Sequence, residues 1–209
     1  MLLKKASGSD KGARIGLHKN VPVGAGLGGG SSDAATVLHT LNQQWQCGFS
    51  VRALAALGLT LGADVPLFVH GATAWGEGVG ERLRPVTLGE SWYVLVFPAL
   101  QVSTADVFGA DGLKRNSPPV TLETYAPDLT RNDCEPVVRQ LFPELNEVFD
   151  DLSEWGHPRL TGTGSCVFLE FDEKKQADRA THALKCRYNV RAVRGVDHSP
   201  LLAKLSGIS

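Results

Sequence analysis

Pro22-Val23-Gly24-Ala25-Gly26-Leu27-Gly28-Gly29-Gly30-Ser31-Ser32-Asp33 sets five glycines and two hydroxyls directly ahead of an amphipathic run that begins at Ala34. Glycine tolerates positive φ and has no Cβ, so successive backbone N–H groups in such a loop can turn inward on an anion at close range. Ala34, Ala35, Val37, Leu38, Leu41 and Trp45 then recur at helical spacing, which predicts a helix from Ala34 to about Trp45. The free N–H groups and the positive dipole end of that helix would face the same anion. A flexible linker or a plain helix-start turn is the competing reading. Linkers are usually long, polar and followed by disorder, whereas this stretch is short, follows the alternating Ile15 and Leu17, and enters a periodic helix without a gap.

Elimination narrows the kind of phosphate loop. Gly24, Gly26 and Gly29 satisfy G-x-G-x-x-G, but a dinucleotide unit needs a second strand ending in an acid about twenty residues on. The chain there is Gln46-Cys47-Gly48-Phe49-Ser50, followed by another helical pattern. No Lys follows the glycines as a P-loop requires, and no V-A-I-K or H-R-D element points to a protein kinase. A different nucleotide loop remains.

Outward from the loop, Met1 to Ala6 is helix-compatible, Gly8 to Gly12 is a turn, and Ala13 to Asn20 reads as a strand. On the other side, Ser50 is an N-cap for a second helix through Leu57, closed by Gly58. Leu59 to Pro66 sets one carboxylate, Asp64, among apolar neighbours. Two readings stand: a helix cap before the Val-Pro step, or a base or positioning group whose pKa is tuned by partial desolvation. Ala72 to Leu83 reads as a hairpin around Gly78-Val79-Gly80, and Trp92 to Phe97 as a buried strand. Asp106 to Pro127 reads as a polar, mobile surface segment. Asn132-Asp133 is expected to cap a long helix with the apolar stripe Val137, Leu141, Leu145, Val148, Phe149 and Leu152, ended by Gly156 and kinked at Pro143. Leu160-Thr161-Gly162-Thr163-Gly164-Ser165-Cys166 leads to a strand at Val167 to Phe171, a helix from about Glu173 to Lys185 and a strand at Val190 to Val196. That order suits a small α+β sandwich. Thr161 to Ser165 is either a structural turn or a second anion contact across a cleft from the first loop.

Composition excludes several classes of function. At 209 residues the chain can build one large domain or two small ones with proper cores. A formal net charge of -1 and no Lys/Arg block leave no basic field for nucleic acid. Any phosphate partner must be held by the site itself. The cysteines at 47, 134, 166 and 186 have no C-x-x-C spacing and the N-terminus has no signal-like apolar stretch, so reduced thiols in a cytoplasm are expected. No apolar run approaches the roughly twenty residues that span a bilayer.

Three motifs agree in identity and order with one family. Pro22 to Ser32 with Asp33-Ala34-Ala35, Gly62-Ala63-Asp64-Val65-Pro66, and Thr161-Gly162-Thr163-Gly164-Ser165 resemble the GHMP small-molecule kinases. Leu27 to Ser32, Gly62 to Pro66, Gly78 to Glu81 and Asn132-Asp133-Cys134-Glu135 resemble the branch that phosphorylates the 2-hydroxyl of a cytidine diphosphate-linked methylerythritol for isoprenoid precursors. The resemblance implies an α+β fold in two domains. Residues 1–84 would be the ATP-binding, ribosomal-protein-S5-like domain, and 85–209 a ferredoxin-like α/β sandwich. It makes Pro22, Val23, Gly24, Ala25, Gly26, Leu27, Gly28, Gly29, Gly30, Ser31 and Ser32 the ATP phosphate loop, with Lys19 near the nucleotide. Asp64 matches the catalytic aspartate. Thr104 and Phe108 fall where the cytidine-bearing substrate is contacted, and Gly162, Thr163, Gly164 and Ser165 would flank its diphosphate. Mg²⁺ is expected with ATP, with Ser31 or Ser32 as its protein ligand.

The same resemblance implies a further stretch ahead of Ala13, carrying a Pro-x-Lys-x-Asn element whose Lys would sit beside the aspartate and steady the transferred charge. Without it the 209 residues are expected to be catalytically dead and poorly soluble. Two classes of function follow: an active sugar-alcohol kinase with a longer chain, or a non-catalytic remnant. Within the enzyme class the alternative is a homoserine- or mevalonate-type kinase, against which Asn132 to Glu135 argues.

Overall fold

The computed structural model describes residues 2–78, 80, 82–125 and 130–206. Val79 and Glu81 of the expected hairpin tip, and Pro127 at the end of the expected surface segment, lie outside the described residues. In chain order the elements are α1 (Leu2–Ser7), α2 (Gly29–Gln44), α3 (Val51–Leu59), α4 (Val65–His70), β1 (Ala74–Glu77), β2 (Arg82–Pro85) and β3 (Trp92–Phe97). There follow α5 (Thr104–Gly109), α6 (Glu135–Leu141), α7 (Glu144–Ser153), β4 (Arg159–Leu160), β5 (Val167–Phe171), α8 (Lys174–Leu184), β6 (Asn189–Arg194) and α9 (Pro200–Ser206). Contacts divide the chain into two compact units, neither continuous in sequence: the residues up to Asn20, Gly28–Gly89 and those from Val196 form one, Val21–Leu27 and Glu90–Gly195 the other. The resemblance implies one division, between 84 and 85, whereas the contacts pass four times from unit to unit.

The first unit is built on α2. Ala35, Leu38, Leu41 and Trp45 form its buried stripe and pack with Leu3 of α1, Leu54 and Ala55 of α3, and Val65 and Val69 of α4. Ser50 caps α3 as expected, its hydroxyl accepting from the Ala53 N–H at 3.2 Å. Gly58, expected to close that helix, lies inside it. A Cβ there would stand 2.7 Å from Val65 Cγ1, so the glycine lets α3 and α4 approach and does not cap. His39 is a buried polar residue of α2, and its Nε2 donates to the Val69 carbonyl of α4 at 2.8 Å. β1 and β2 pair antiparallel, from Ala74 opposite Pro85 to Glu77 opposite Arg82. The segment from Val196 returns to this unit: Thr73 N–H donates to Asp197 O, Ser199 N–H to Gly71 O, and Ala72 bridges His198.

Ala13 to Asn20 is not a strand. None of the described strands pairs with it, and without a ladder an alternating pair of apolar residues cannot hold an extended segment. Ile15 and Leu17 are accordingly 53% and 63% exposed. The helix α9 was missed because Pro200-Leu201-Leu202 follows the last expected strand too closely to show a period of its own.

The second unit is one antiparallel sheet in the order β4-β5-β3-β6 with helices between its strands. Taken along the chain this is strand, helices, strand, strand, helix, strand, the ferredoxin-like order expected. β3 is central, with Trp92 opposite Phe171 on one side and Arg194 on the other. Val94, Val96, Val167 and Leu169 of the sheet meet Leu145, Val148, Phe149 and Leu152 of α7 and Ala177, Ala180 and Leu184 of α8 in one core. The long helix expected after Asn132 is two helices. Phe142, next to a proline that has no N–H and crowds the residue before it, sits at φ -129, ψ 76 and ends α6. The break shifts the phase of the stripe and leaves Leu141 45% exposed. α7 ends at Ser153, short of Gly156. The expected mobile segment from Asp106 is anchored: Ser103 caps α5, Val107 is fully buried and Leu113 joins the core. Its polar composition concealed two apolar residues spaced to reach one core.

All four cysteines are free. Burial pushes the Cys166 thiol up to about 12, so it carries no nucleophilic thiolate at neutral pH. Native protein treated with iodoacetamide is expected to be alkylated at the exposed Cys186 and spared at Cys166 until denatured. Peptide mapping that finds Cys166 modified as fast as Cys186 would contradict this burial.

Candidate active site

Each unit gathers its own share of the expected site residues. In the second unit, Gly24 and Gly26 have φ of +78° and +72°, and Ala25 between them is buried against Phe97 and Cys166. The Gly24 carbonyl accepts from Ser165 N–H at 3.2 Å, and the Ala25 carbonyl from Thr161 Oγ1 at 2.8 Å. A Cβ on Gly26 would lie 2.3 Å from the Thr161 carbonyl oxygen, and one on Gly162 3.2 Å from the Gly26 carbonyl oxygen. The Thr161 to Ser165 turn therefore clasps the first half of the glycine loop, and does not face it across a cleft. Glycines on both sides allow backbone to meet backbone.

Thr104 and Thr163, 59 positions apart, share a hydroxyl hydrogen bond of 2.9 Å, and Phe108 is 55% exposed on the same short helix as Thr104. Ser165 is different. It is 5% exposed and its hydroxyl donates to the Leu100 carbonyl at 2.9 Å, so its side chain holds the turn and is not presented to a ligand.

In the first unit, Gly28 takes φ +64° at the N-cap of α2. The helix starts at Gly29 and not at Ala34, because Gly29, Gly30, Ser31 and Ser32 form its first turn, with Ser32 N–H donating to Gly28 O at 2.9 Å. A Cβ on Gly28 would meet the Phe68 ring at 2.6 Å. Phe68 lies one turn beyond Asp64 on α4, an i+4 spacing legible in the sequence but unused there. The turn before α4 approaches the same helix start: a Cβ on Gly62 would lie 3.9 Å from Ser31 Oγ. Lys19 pairs with Asp33 at 2.5 Å beside this turn of α2.

Asp64 occupies the N-cap position of α4 at φ -82, ψ -15, yet its side chain makes no cap hydrogen bond. Val65 and Pro66 are buried while Asp64 is exposed, so its apolar neighbours turn into the core and leave the carboxylate in solvent. Of the two readings left open by the sequence, the cap bond is not formed, and the carboxylate is not desolvated as the other supposed. Among the described residues the carboxylate has neither a hydrogen-bond nor an ion-pair partner.

Unpaired backbone donors mark the loop more sharply than its glycines do. From Val23 to Ser31, no N–H finds an acceptor among the described residues. Within the second unit, glycines at 24 and 26 in the left-handed region alternate with residues that are not, the backbone pattern that turns consecutive N–H groups to one side as an anion nest. The hydroxyls of Ser31 and Ser32 likewise make no hydrogen bond among the described residues.

Residues 1–72 match the family model described as GHMP kinases N terminal domain, and residues 115–190 that described as GHMP kinases C terminal. The chain belongs to the GHMP kinases. It is thus a small-molecule kinase of α+β fold that uses ATP, and no described helix of this GHMP kinase is long and apolar enough to cross a membrane. A protein of Alkalilimnicola ehrlichii called 4-diphosphocytidyl-2-C-methyl-D-erythritol kinase is 48% identical over 99% of this chain and 71% of its own length. One of the same name from Halorhodospira halophila is 47% identical over 95% of this chain and 70% of its own. The crystal structure of a 4-(cytidine 5'-diphospho)-2C-methyl-D-erythritol kinase superposes with a TM-score of 0.80 at 36% identity, over 92% of this GHMP kinase and 74% of that chain. A homoserine kinase from Cytophaga hutchinsonii shares the fold, with a TM-score of 0.65 at 16% identity over 87% and 69% of the two chains.

Proposed function

We propose that this GHMP kinase transfers the γ-phosphoryl group of ATP to the 2-hydroxyl of 4-diphosphocytidyl-2-C-methyl-D-erythritol, a step toward isoprenoid precursors in the cytoplasm. The run of unpaired N–H groups from Val23 to Ser31 carries the reading. Val23 to Leu27 offer a row of donors for a polyphosphate, and the N-terminus of the 16-residue helix α2 is by itself a second anion-binding end. Pro22 opens the row without contributing an N–H. Phosphoryl transfer asks a protein mainly to position its reactants and to offset the charge spread over the transferred group. Lys19 would stand at the nucleotide end of the loop.

Asp64 is the base or orienting group. An exposed carboxylate with no partner is free to accept the hydroxyl proton or to aim that hydroxyl, which is typically worth roughly 10² to 10⁴ in rate. Thr104 and Phe108 on α5, with Gly162, Thr163 and Gly164 on the turn, would receive the cytidine diphosphate half of the substrate; Ser165 acts by holding that turn. The free hydroxyls of Ser31 and Ser32 fit a Mg²⁺ that keeps most of its ligands from phosphate and water, as this ion usually does. Bound there, the ion would neutralise phosphate charge.

The natural protein, given ATP, Mg²⁺ and the cytidyl substrate, is expected to release ADP and to form a phosphomonoester visible by phosphorus NMR. Homoserine and mevalonate in its place should give no turnover above background. Preference for either, or ATP binding without transfer to any of the three, would defeat the proposal.

A further inference from the structure

Asn132-Asp133-Cys134-Glu135 is one of the motifs on which the sequence resemblance rests, yet none of the roles above uses it. We infer that Asn132 and Glu135 are positioning residues for phosphoryl transfer, a clamp on the backbone that enters the Thr161 to Ser165 turn. Asn132 Nδ2 donates to the Leu160 carbonyl at 3.1 Å and to the Gly162 carbonyl at 2.6 Å. Its Oδ1 accepts from the Cys134 N–H at 3.0 Å, which fixes the amide's orientation. Glu135 Oε2 accepts from the Leu160 N–H at 3.3 Å, while its Oε1 faces Arg139 at 3.7 Å. Leu160 is thus held by both its N–H and its C=O, and Gly162 by its C=O.

The grip matters because of what lies on the far side of the turn. Thr161 bonds the Ala25 carbonyl, Ser165 N–H bonds the Gly24 carbonyl, and Gly162 packs on Gly26, so the first half of the glycine loop rests on the segment that Asn132 and Glu135 hold. Thr163 reaches Thr104 from the same turn. A shift of the turn therefore moves phosphate donors and the substrate-facing hydroxyls together. Asp133 stands between the two clamping residues without taking part, since its carboxylate pairs with Arg131 at 3.1 Å. That gives the inference an internal control.

The inference rests on the kinase reading, and the experiment separates the two. In the natural protein, Asn132→Ala is expected to lower kcat/KM for the cytidyl substrate about a hundredfold, the scale of a displacement near 1 Å at a reacting centre. It should weaken ATP binding, measured by calorimetry, about tenfold, the equivalent of one hydrogen bond. Glu135→Ala should show the same signature and Glu135→Gln, which keeps an acceptor for the Leu160 N–H, should recover most of it. Asp133→Asn should match the wild type. Where Asn132→Ala does not fold, the contrast between the two Glu135 variants decides. Alanine variants that melt lower but keep both kcat/KM and ATP affinity would make the clamp merely structural and overturn the inference. Wild-type protein that binds ATP but ignores the cytidyl substrate would overturn the substrate reading, with the clamp then judged on the calorimetry alone.

Discussion

Asp64→Asn is expected to cut turnover by about 10² to 10⁴ while the melting temperature and ATP affinity stay near those of the wild type. The carboxylate is exposed, bonds no N–H of α4, and has no ion-pair partner among the described residues, so its loss removes nothing that holds the fold. Asparagine keeps the shape and can still orient a hydroxyl, but it cannot take the proton. The check is kcat at saturating ATP and substrate, beside a thermal melt and a calorimetric titration. A variant that melts several degrees lower with its turnover intact would show Asp64 to be a cap after all.

Gly26→Ala is expected to destabilise the protein by roughly 2 to 5 kcal/mol and to abolish measurable ATP binding. Two costs add. At φ +72° any other residue is strained by about 1 to 3 kcal/mol. Its Cβ would also stand 2.3 Å from the Thr161 carbonyl oxygen and 2.9 Å from that of Gly164, and backbone oxygens cannot rotate away as a side chain can. The loop would have to lift from the turn, losing its bonds to Thr161 and Ser165, each worth about 1 kcal/mol. Gly24→Ala separates the costs. Gly24 has φ +78°, but a Cβ there meets nothing within 4 Å, so only the conformational penalty remains. Chemical denaturation of both variants is the measurement, and equal losses would mean that the clasp contributes nothing.

The sequence was most legible where a local pattern has a local cause. The Ser50 cap and the strands β3 and β5 needed only period, cap chemistry and flanking turns, and they stand where expected, while the helix after the glycines is present but begins five residues before Ala34. The kinase family likewise followed from short motifs whose order along the chain is itself informative. What escaped depends on partners distant in sequence. Ala13 to Asn20 looks like a strand until one asks what it would pair with. Gly58 looks like a helix end because nothing local reveals that Val65 will lie against it. Apolar neighbours suggested partial desolvation as one of two readings of Asp64, but a helix start places neighbours on opposite sides, and burial of Val65 and Pro66 implies nothing about Asp64. The Thr161 turn and the glycine loop were both recognised, while their direct contact joins segments about 136 positions apart and has no signature in either.

The four passages of the chain between its two units set the order in which synthesis can complete them. When Arg194 leaves the ribosome, every strand of the four-stranded sheet has been made. The helices from Leu2 to His70 were made long before, yet Gly71, Ala72 and Thr73 still lack their partners, which arrive only with Asp197, His198 and Ser199. The part translated first is the part closed last, and its apolar helices must wait through the translation of more than a hundred intervening residues with that seam open.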